Sequence, residues 1–174
     1  MNNIKKLSTA GVLCAVAVAG SLISFPVFGS KCAPVQHMVN IFCAVLLGPG
    51  YGVMAAFVAS LIRNLLGMGS LMAFPGSMIG ALCCGLAYMA FRKLWLTCIA
   101  EASGTGILGG LAAYPVAKLM MGLNPGGLFV YIVPFLVSTV VGSILAYFLV
   151  TALQKGGVIS MYRHPAKKEM KMSQ

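Results

Sequence analysis

The sequence predicts an all-α integral membrane protein with six transmembrane helices and both termini cytoplasmic. Three observations predict it. The 174 residues are 60% hydrophobic and only 8% charged, with a mean hydropathy of +0.96, whereas a soluble domain carries about 25% charged residues. The few charges bracket uncharged runs long enough to cross a bilayer. The basic residues, finally, are shared unequally between alternate loops. At about 20 residues per span, this length holds about six helices and no nucleotide-binding domain. Twelve Lys and Arg against two acids give a net charge of +10, a sum that raises the question of nucleic acid. Here they sit at the chain ends and in short loops, where they mark membrane topology rather than a phosphate footprint.

The elements follow from the charges in order. Between Lys6 and Lys31 lie 24 uncharged residues, read as helix 1 over about 8–25. Lys5 and Lys6 before an apolar run imitate a signal peptide. The run ends in Ser24-Phe25-Pro26 without a small-x-small cleavage site, so it is read as a retained helix. From Lys31 to Arg63 the chain again lacks acids and bases, but Leu47-Gly48-Pro49-Gly50 is a turn signal. One helix over 33–66 would be about 50 Å long, so two are expected, about 35–48 and 51–66. A loop over 67–75 precedes helix 4 at about 75–91, which Arg92-Lys93 ends. Helix 5 covers about 96–121, and Asn124-Pro-Gly-Gly127 turns the chain into helix 6 at about 128–153. The domain reading is one six-helix unit, 1–154, and a basic, frayed cytoplasmic tail, 155–174.

Orientation follows from counting. Six spans place Lys5, Lys6, Arg92, Lys93, Lys155, Arg163, Lys167, Lys168 and Lys171 on one side, and Lys31, Arg63 and Lys118 on the other. This nine-to-three split puts the termini inside; five spans leave eight to four at best.

On that topology the polar side chains gather at the outer ends of the helices. Gln36, His37 and Asn40 open helix 2, with His37 and Asn40 on one face at i,i+3 spacing. Arg63 and Asn64 close helix 3, Phe74 and Ser77 lie at the start of helix 4, Tyr114 falls in outer helix 5, and Tyr131 starts helix 6. Unpaired polar groups at bilayer depth cost several kcal/mol, so these should face the bundle interior around an outward pocket, with 25–34 and 67–75 as its lid. Each also has a plainer reading. Amides and hydroxyls often only join helix to helix, Arg63 can snorkel, and tyrosines form interfacial belts. Glu101 is the only acid in any span and a functional candidate by default. Its expected depth in the cytoplasmic third favours a structural or proton-sharing role, and an engaged Glu101 would suggest a deeper pocket or a cationic ligand. Pro115 and Pro134 fall within outer spans 5 and 6, where broken backbone is tolerated mainly beside a cavity.

Five of the six cysteines lie in apolar runs as small hydrophobes, and Cys32 alone lies in a loop, so no disulfide is implied. Cys83-Cys84 lacks ligand spacing and both histidines are distant in sequence, which argues against a metal. Helix 1 carries Gly11, Ala15 and Ala19 at i,i+4 spacing. Such a stripe permits close helix approach, either within the bundle or to another membrane subunit.

The blocks Lys31-Cys-Ala-Pro-Val-Gln-His-Met-Val-Asn40, Leu46-Leu-Gly-Pro-Gly50, Arg63-Asn-Leu-Leu-Gly-Met-Gly69, Ala73-Phe-Pro-Gly-Ser-Met-Ile-Gly-Ala81, Glu101-x-Ser-Gly-Thr-Gly106 and Ala113-Tyr-Pro-Val-Ala117 resemble the ThiW family over about residues 8–153. ThiW proteins are thiazole-type substrate-binding (S) components of energy-coupling factor (ECF) transporters. Departures from the family pattern are Ala33, where an aromatic is expected, and Met68, where a Thr is expected. The resemblance implies an ECF S-component-like bundle that binds hydroxyethylthiazole, the thiazole precursor of thiamine, from outside. It implies a multi-pass protein of the plasma membrane, a membrane coupling subunit and two cytoplasmic ATPases as partners, and docking of that coupling subunit on the alanine stripe of helix 1. ATP would be used by the partners and no cofactor by this chain, which fits the lack of a P-loop. Alternatives are an S component for the pyrimidine moiety or thiamine itself, or an autonomous small-solute transporter. The latter is weakened by the lack of an inverted repeat. An intramembrane enzyme would need a nucleophile–base pair or metal site, so no enzyme is expected.

Overall fold

The structure, a computed structural model, describes residues 2–27 and 30–159. It contains six helices in chain order: α1 (Asn3–Gly20), α2 (Pro34–Leu46), α3 (Pro49–Leu65), α4 (Ala73–Phe91), α5 (Leu94–Met120) and α6 (Ile132–Lys155). Of these, α4, α5 and α6 are long and apolar enough to cross a membrane, and α2 is a shorter apolar helix. Between α1 and α2 the chain forms a small antiparallel hairpin, β1 (Phe25–Val27) paired with β2 (Ser30–Cys32), with Pro26 opposite Lys31.

Helix 1 is displaced from its expected position. It ends at Gly20 rather than near residue 25, because the next three amides turn back onto the carbonyls of Val18, Ala19 and Gly20. Position 20 has no room for a side chain: a Cβ there would run into Val35 of α2. The apolar residues Leu22, Ile23 and Phe25 therefore leave the helix and stay exposed, and hydropathy alone does not separate them from it.

The two prolines also behave differently from expectation. Helix 5 is not broken at Pro115 but widens, winding as a π-helix over Gly104–Gly109 and again over Val116–Met120. A proline removes one amide and crowds the preceding turn; π winding is rare in general but is one of the local adjustments by which a membrane helix re-satisfies freed backbone groups. Pro134 lies in the first turn of α6, which starts at 132 rather than about 128. There a missing N–H costs nothing. Of the expected tail, residues 160–174 lie outside the described residues, while Ile159 packs against the bundle with Ala146 and Val150.

The sequence orders the packing through small residues. α2 and α4 occupy the middle: α2 touches α1, α3, α4 and α6, and α4 touches α2, α3 and α5. One buried cluster joins Ala10, Cys14 and Ala17 of α1 to Val39, Cys43, Ala55 and Ala59. A second joins Ile41, Ala44, Cys84 and Tyr88 to Ala146 and Val150. Bulky residues point the other way. Leu61, Leu86, Trp95, Ile99, Leu119 and Phe148 are all exposed, the inversion expected of a bundle whose solvent is lipid rather than water.

Two glycines show how tightly the helices meet where the polar residues lie. A Cβ on Gly80 of α4 would collide with the Thr105 hydroxyl and both Glu101 carboxylate oxygens of α5. On Gly142 of α6, a Cβ would meet the Pro34 carbonyl and the His37 Cβ of α2.

Candidate functional site

The polar residues converge at one end of the bundle. The N-terminal ends of α2 and α4 lie there, with the C-terminal end of α3, the first turns of α6 and the hairpin. A cavity of about 40 Å³ is lined by Lys31, Ala33, Gln36, His37, Arg63, Ala73, Gly76, Ser77, Thr105, Phe135 and Ser138.

Beneath it a hydrogen-bonded network joins four helices, α2, α3, α4 and α5. The Arg63 guanidinium donates through Nη1 to the Gln36 carbonyl oxygen at 3.4 Å, and Gln36 Nε2 donates to Asn40 Oδ1 at 3.4 Å. Asn40 Nδ2 donates to Glu101 Oε1 at 3.0 Å and to the Ser77 carbonyl at 3.2 Å. The same carboxylate oxygen receives Thr105 Oγ1 at 3.1 Å and lies 3.0 Å from His37 Nδ1. Where the carboxylate is ionised it only accepts, and His37 Nδ1 is then the donor of this pair; His37 also lines the cavity. Ser60 and Ser77 hydroxyls meet at 2.9 Å and tie α3 to α4 at the same level.

Burial makes this network consequential. Glu101 is fully buried, and Arg63, Gln36 and Asn40 are 3%, 2% and 1% exposed. In so dry a setting each unmade bond costs about 1–3 kcal/mol, and half-satisfied networks specify a structure poorly. Two buried side-chain atoms have no hydrogen-bond partner among the described residues: Arg63 Nε, a donor, and Glu101 Oε2, an acceptor. The latter lies 2.9 Å from the position a Gly80 Cβ would take. Arg63 lines the cavity itself.

Of the residues expected at a site, the structure thus brings Gln36, His37, Arg63 and Ser77 to the cavity wall and Asn40 and Glu101 directly beneath it. Glu101 does not lie in a separate inner layer; it shares a hydrogen bond with the outer-end residue His37. The other expected residues lie off the cavity lining. Asn64 donates to the Ser60 and Ser70 carbonyls and secures the 67–72 loop. Phe74 stacks at 5.6 Å on Phe57. Tyr131 packs into a satellite core with Met72, Ala113 and Ala117, against which Tyr114 leans under Lys118. Lys31, Ala33 and Ala73 line the cavity from the expected lid segments, while Gly76, Thr105, Phe135 and Ser138 are lining residues not singled out from the sequence. Thr105 is visible as a hydroxyl four residues from Glu101, and Ser138 as half of a Ser138-Thr139 pair in an apolar run; Phe135 carries no such signal.

The hairpin covers the cavity through three contacts. Cys32 Sγ approaches the Pro134 carbonyl at 3.2 Å, the Ala33 amide donates to Ser138 Oγ at 3.0 Å, and Lys31 Nζ reaches the Gly67 carbonyl at 3.4 Å. The last contact joins the two expected lid segments.

With this geometry established, the comparisons decide the family. The profile of the thiamine-precursor transporter proteins (ThiW) matches residues 7–156. The chain belongs to the ThiW family. Its fold is similar to the solved structure of the S component of a bacterial ECF transporter, with a TM-score of 0.75 and 20% identity over 88% of this chain and 98% of that one. No curated protein matches the sequence. ThiW proteins are membrane transporters and not enzymes, and the lipid-facing surface described above belongs with that assignment.

Proposed function

We propose that this chain is the membrane-embedded substrate-binding subunit of an ECF-type ABC transporter, and that it takes up the thiazole precursor of thiamine, hydroxyethylthiazole. The observation that carries the reading is the buried chain Arg63–Gln36–Asn40–Glu101–His37 beneath a cavity at one bundle end. It occurs in a ThiW chain with the S-component fold. All six helices span the plasma membrane with cytoplasmic termini, which turns the cavity and hairpin outward.

The chemistry suits a small heteroaromatic alcohol. His37 Nε2, the Ser77 and Thr105 hydroxyls and the Arg63 guanidinium offer donors and acceptors, and Phe135 offers a ring face, the mixture typical of small-ligand sites. At about 40 Å³ the cavity holds only a few waters. Entry of a ring therefore requires the hairpin and its Lys31–Gly67 contact to move aside. Gln36, His37, Asn40, Arg63, Ser77 and Glu101 are assigned to binding, with Thr105 and Ser138 added.

Transport itself requires partners: a membrane coupling subunit and two cytoplasmic ATPases that use the ATP. The docking surface proposed for the coupling subunit is α1. Gly11, Ala15 and Ala19 are exposed, while the opposite face, Ala10, Cys14 and Ala17, is buried in the bundle. The test is calorimetry on the purified chain with hydroxyethylthiazole, the pyrimidine moiety and thiamine. The reading requires the thiazole to bind best, without turnover. Preference for either of the others overturns the assignment, and copurification without a coupling subunit and ATPases in the native host overturns the ECF coupling.

A further inference from the structure

Among the described residues Arg63 is a buried cation without an anion. It is 3% exposed, its Nη1 makes a 3.4 Å contact to a neutral amide, and its Nε is unpartnered. The Glu101 carboxylate does not neutralise it: among the described residues the ion pair is His37–Glu101, with Oε1 already shared with Asn40 and Thr105. A guanidinium cannot shed its proton to relieve burial, and an uncompensated charge in a low dielectric is among the most costly features a fold can hold.

The surroundings add to the positive field rather than cancel it. Lys31 lines the same cavity, and its ammonium has a single carbonyl contact, to Gly67. Arg63 and Lys31 against Glu101 leave an excess of one positive charge if His37 is neutral and two if it is protonated. The first turns of α2 and α4 border the cavity through Gln36, His37, Ala73, Gly76 and Ser77, and helix N-termini carry about half a positive charge. Arg63 does lie in the last turn of α3, whose dipole is favourable to it. Three carbonyls of that turn are already taken: Ile62 O accepts the Leu66 amide, Arg63 O the Met68 and Gly69 amides, and Asn64 O the Gly67 amide.

We propose that Arg63 and Lys31 form an anion subsite at the cavity mouth, and that the molecule bound is the phosphate monoester of the thiazole alcohol in preference to the free alcohol. This rests on the thiazole reading above and extends it to the side arm. A phosphate monoester carries a charge of about −1.5 to −2 near neutral pH, which matches the excess at the site. A guanidinium fork pairs with phosphate oxygens through two parallel N–H bonds, so the unpartnered Nε and a neighbouring nitrogen gain acceptors together. Lys31 of β2 supplies a second point charge in the cavity wall.

The experiment is calorimetry on the full chain in detergent at low salt, with hydroxyethylthiazole and its phosphate monoester as the two probes. The parent is expected to bind the ester at least tenfold more tightly than the alcohol. Arg63→Gln should bring that ratio close to one, and Lys31→Met should lower it at least threefold. Equal or tighter binding of the alcohol overturns the anion subsite and leaves the thiazole reading standing. Failure of a folded protein to bind either probe overturns both. Lys31 lies on the exposed hairpin, so its variant reports even where Arg63→Gln does not fold. An unchanged ratio in Lys31→Met removes that residue from the subsite and overturns the proposal as stated.

Discussion

His37 Nδ1 lies 3.0 Å from Glu101 Oε1, a contact between residues 64 apart in sequence that joins the first turn of α2 to the first third of α5. The carboxylate is the hub of the site, since Asn40 and Thr105 donate to the same oxygen. Removing it strands three donors at once. Glu101→Ala is therefore expected to destabilise the fold by about 3–5 kcal/mol, the cost of breaking a buried charged pair from one side. Glu101→Gln keeps the shape and one acceptor and should lose less. Thermal unfolding of the two variants in the same detergent checks the order; equal midpoints for Glu101→Ala and the parent would show that the network does not hold the bundle together.

Ligand contact is a separate question from stability. His37→Ala and Asn40→Ala each remove one buried hydrogen-bonding group and should weaken thiazole binding by about 1–3 kcal/mol, or about 5- to 150-fold in Kd. If both bind as tightly as the parent by calorimetry, the site lies elsewhere.

Close approach makes its own prediction at Gly80. A methyl group there meets the Thr105 hydroxyl and the Glu101 carboxylate, neither of which can retreat without breaking the cluster. Gly80→Ala should lower both thermal stability and ligand affinity, although alanine is the better helix former by about 1 kcal/mol. Gly52→Ala in α3 is the control. Its Cβ would find only the Cys43 Cβ at 3.5 Å and the Ala81 carbonyl at 3.9 Å, ordinary contacts, so it should be neutral or stabilising.

Much of this arrangement is legible in the sequence, for identifiable reasons. Charges bracket the helices because a bilayer core excludes them, so the number and order of the helices follow from spacing. Gln36, His37, Arg63 and Ser77, which line the cavity, are legible as candidates because polar groups stand out against apolar runs. Tyr114, Tyr131 and Phe74 mislead because an aromatic ring serves a core as readily as a ligand, and only packing against Ala113 or Phe57 separates the two. The depth of Glu101 is not legible from its helix alone. It depends on the widened winding over Gly104–Gly109 and on the absence of a side chain at Gly80, neither of which has a periodic signal. The hairpin escapes for a similar reason, being three residues a strand and as apolar as the helix it follows.

Topology is tested by labelling intact cells with a membrane-impermeant thiol reagent. The orientation proposed from the nine-to-three charge split puts Ser70 outside and Lys93, after the left-handed turn at Arg92, inside. A cysteine at position 70 should react from outside and one at position 93 only after permeabilisation. The reverse pattern would invert the map.

The docking face of α1 gives a prediction that separates two uses of the same helix. Gly11, Ala15 and Ala19 are exposed, and a Cβ at position 11 would meet no atom within 4 Å. Ala17, two residues from Ala15, is completely buried against the bundle. In lipid, helices gain little from hydrophobicity and associate by close van der Waals approach, so a bulky residue blocks whichever partner its face meets. Ala15→Trp should yield a folded protein that still binds the thiazole but neither copurifies with its coupling subunit nor supports uptake. Ala17→Trp should fail earlier, at folding, because its ring has to displace α2 or α3. Normal uptake by Ala15→Trp would place the coupling subunit on another face. Loss of folding in Ala15→Trp would instead mean that the stripe packs within the bundle.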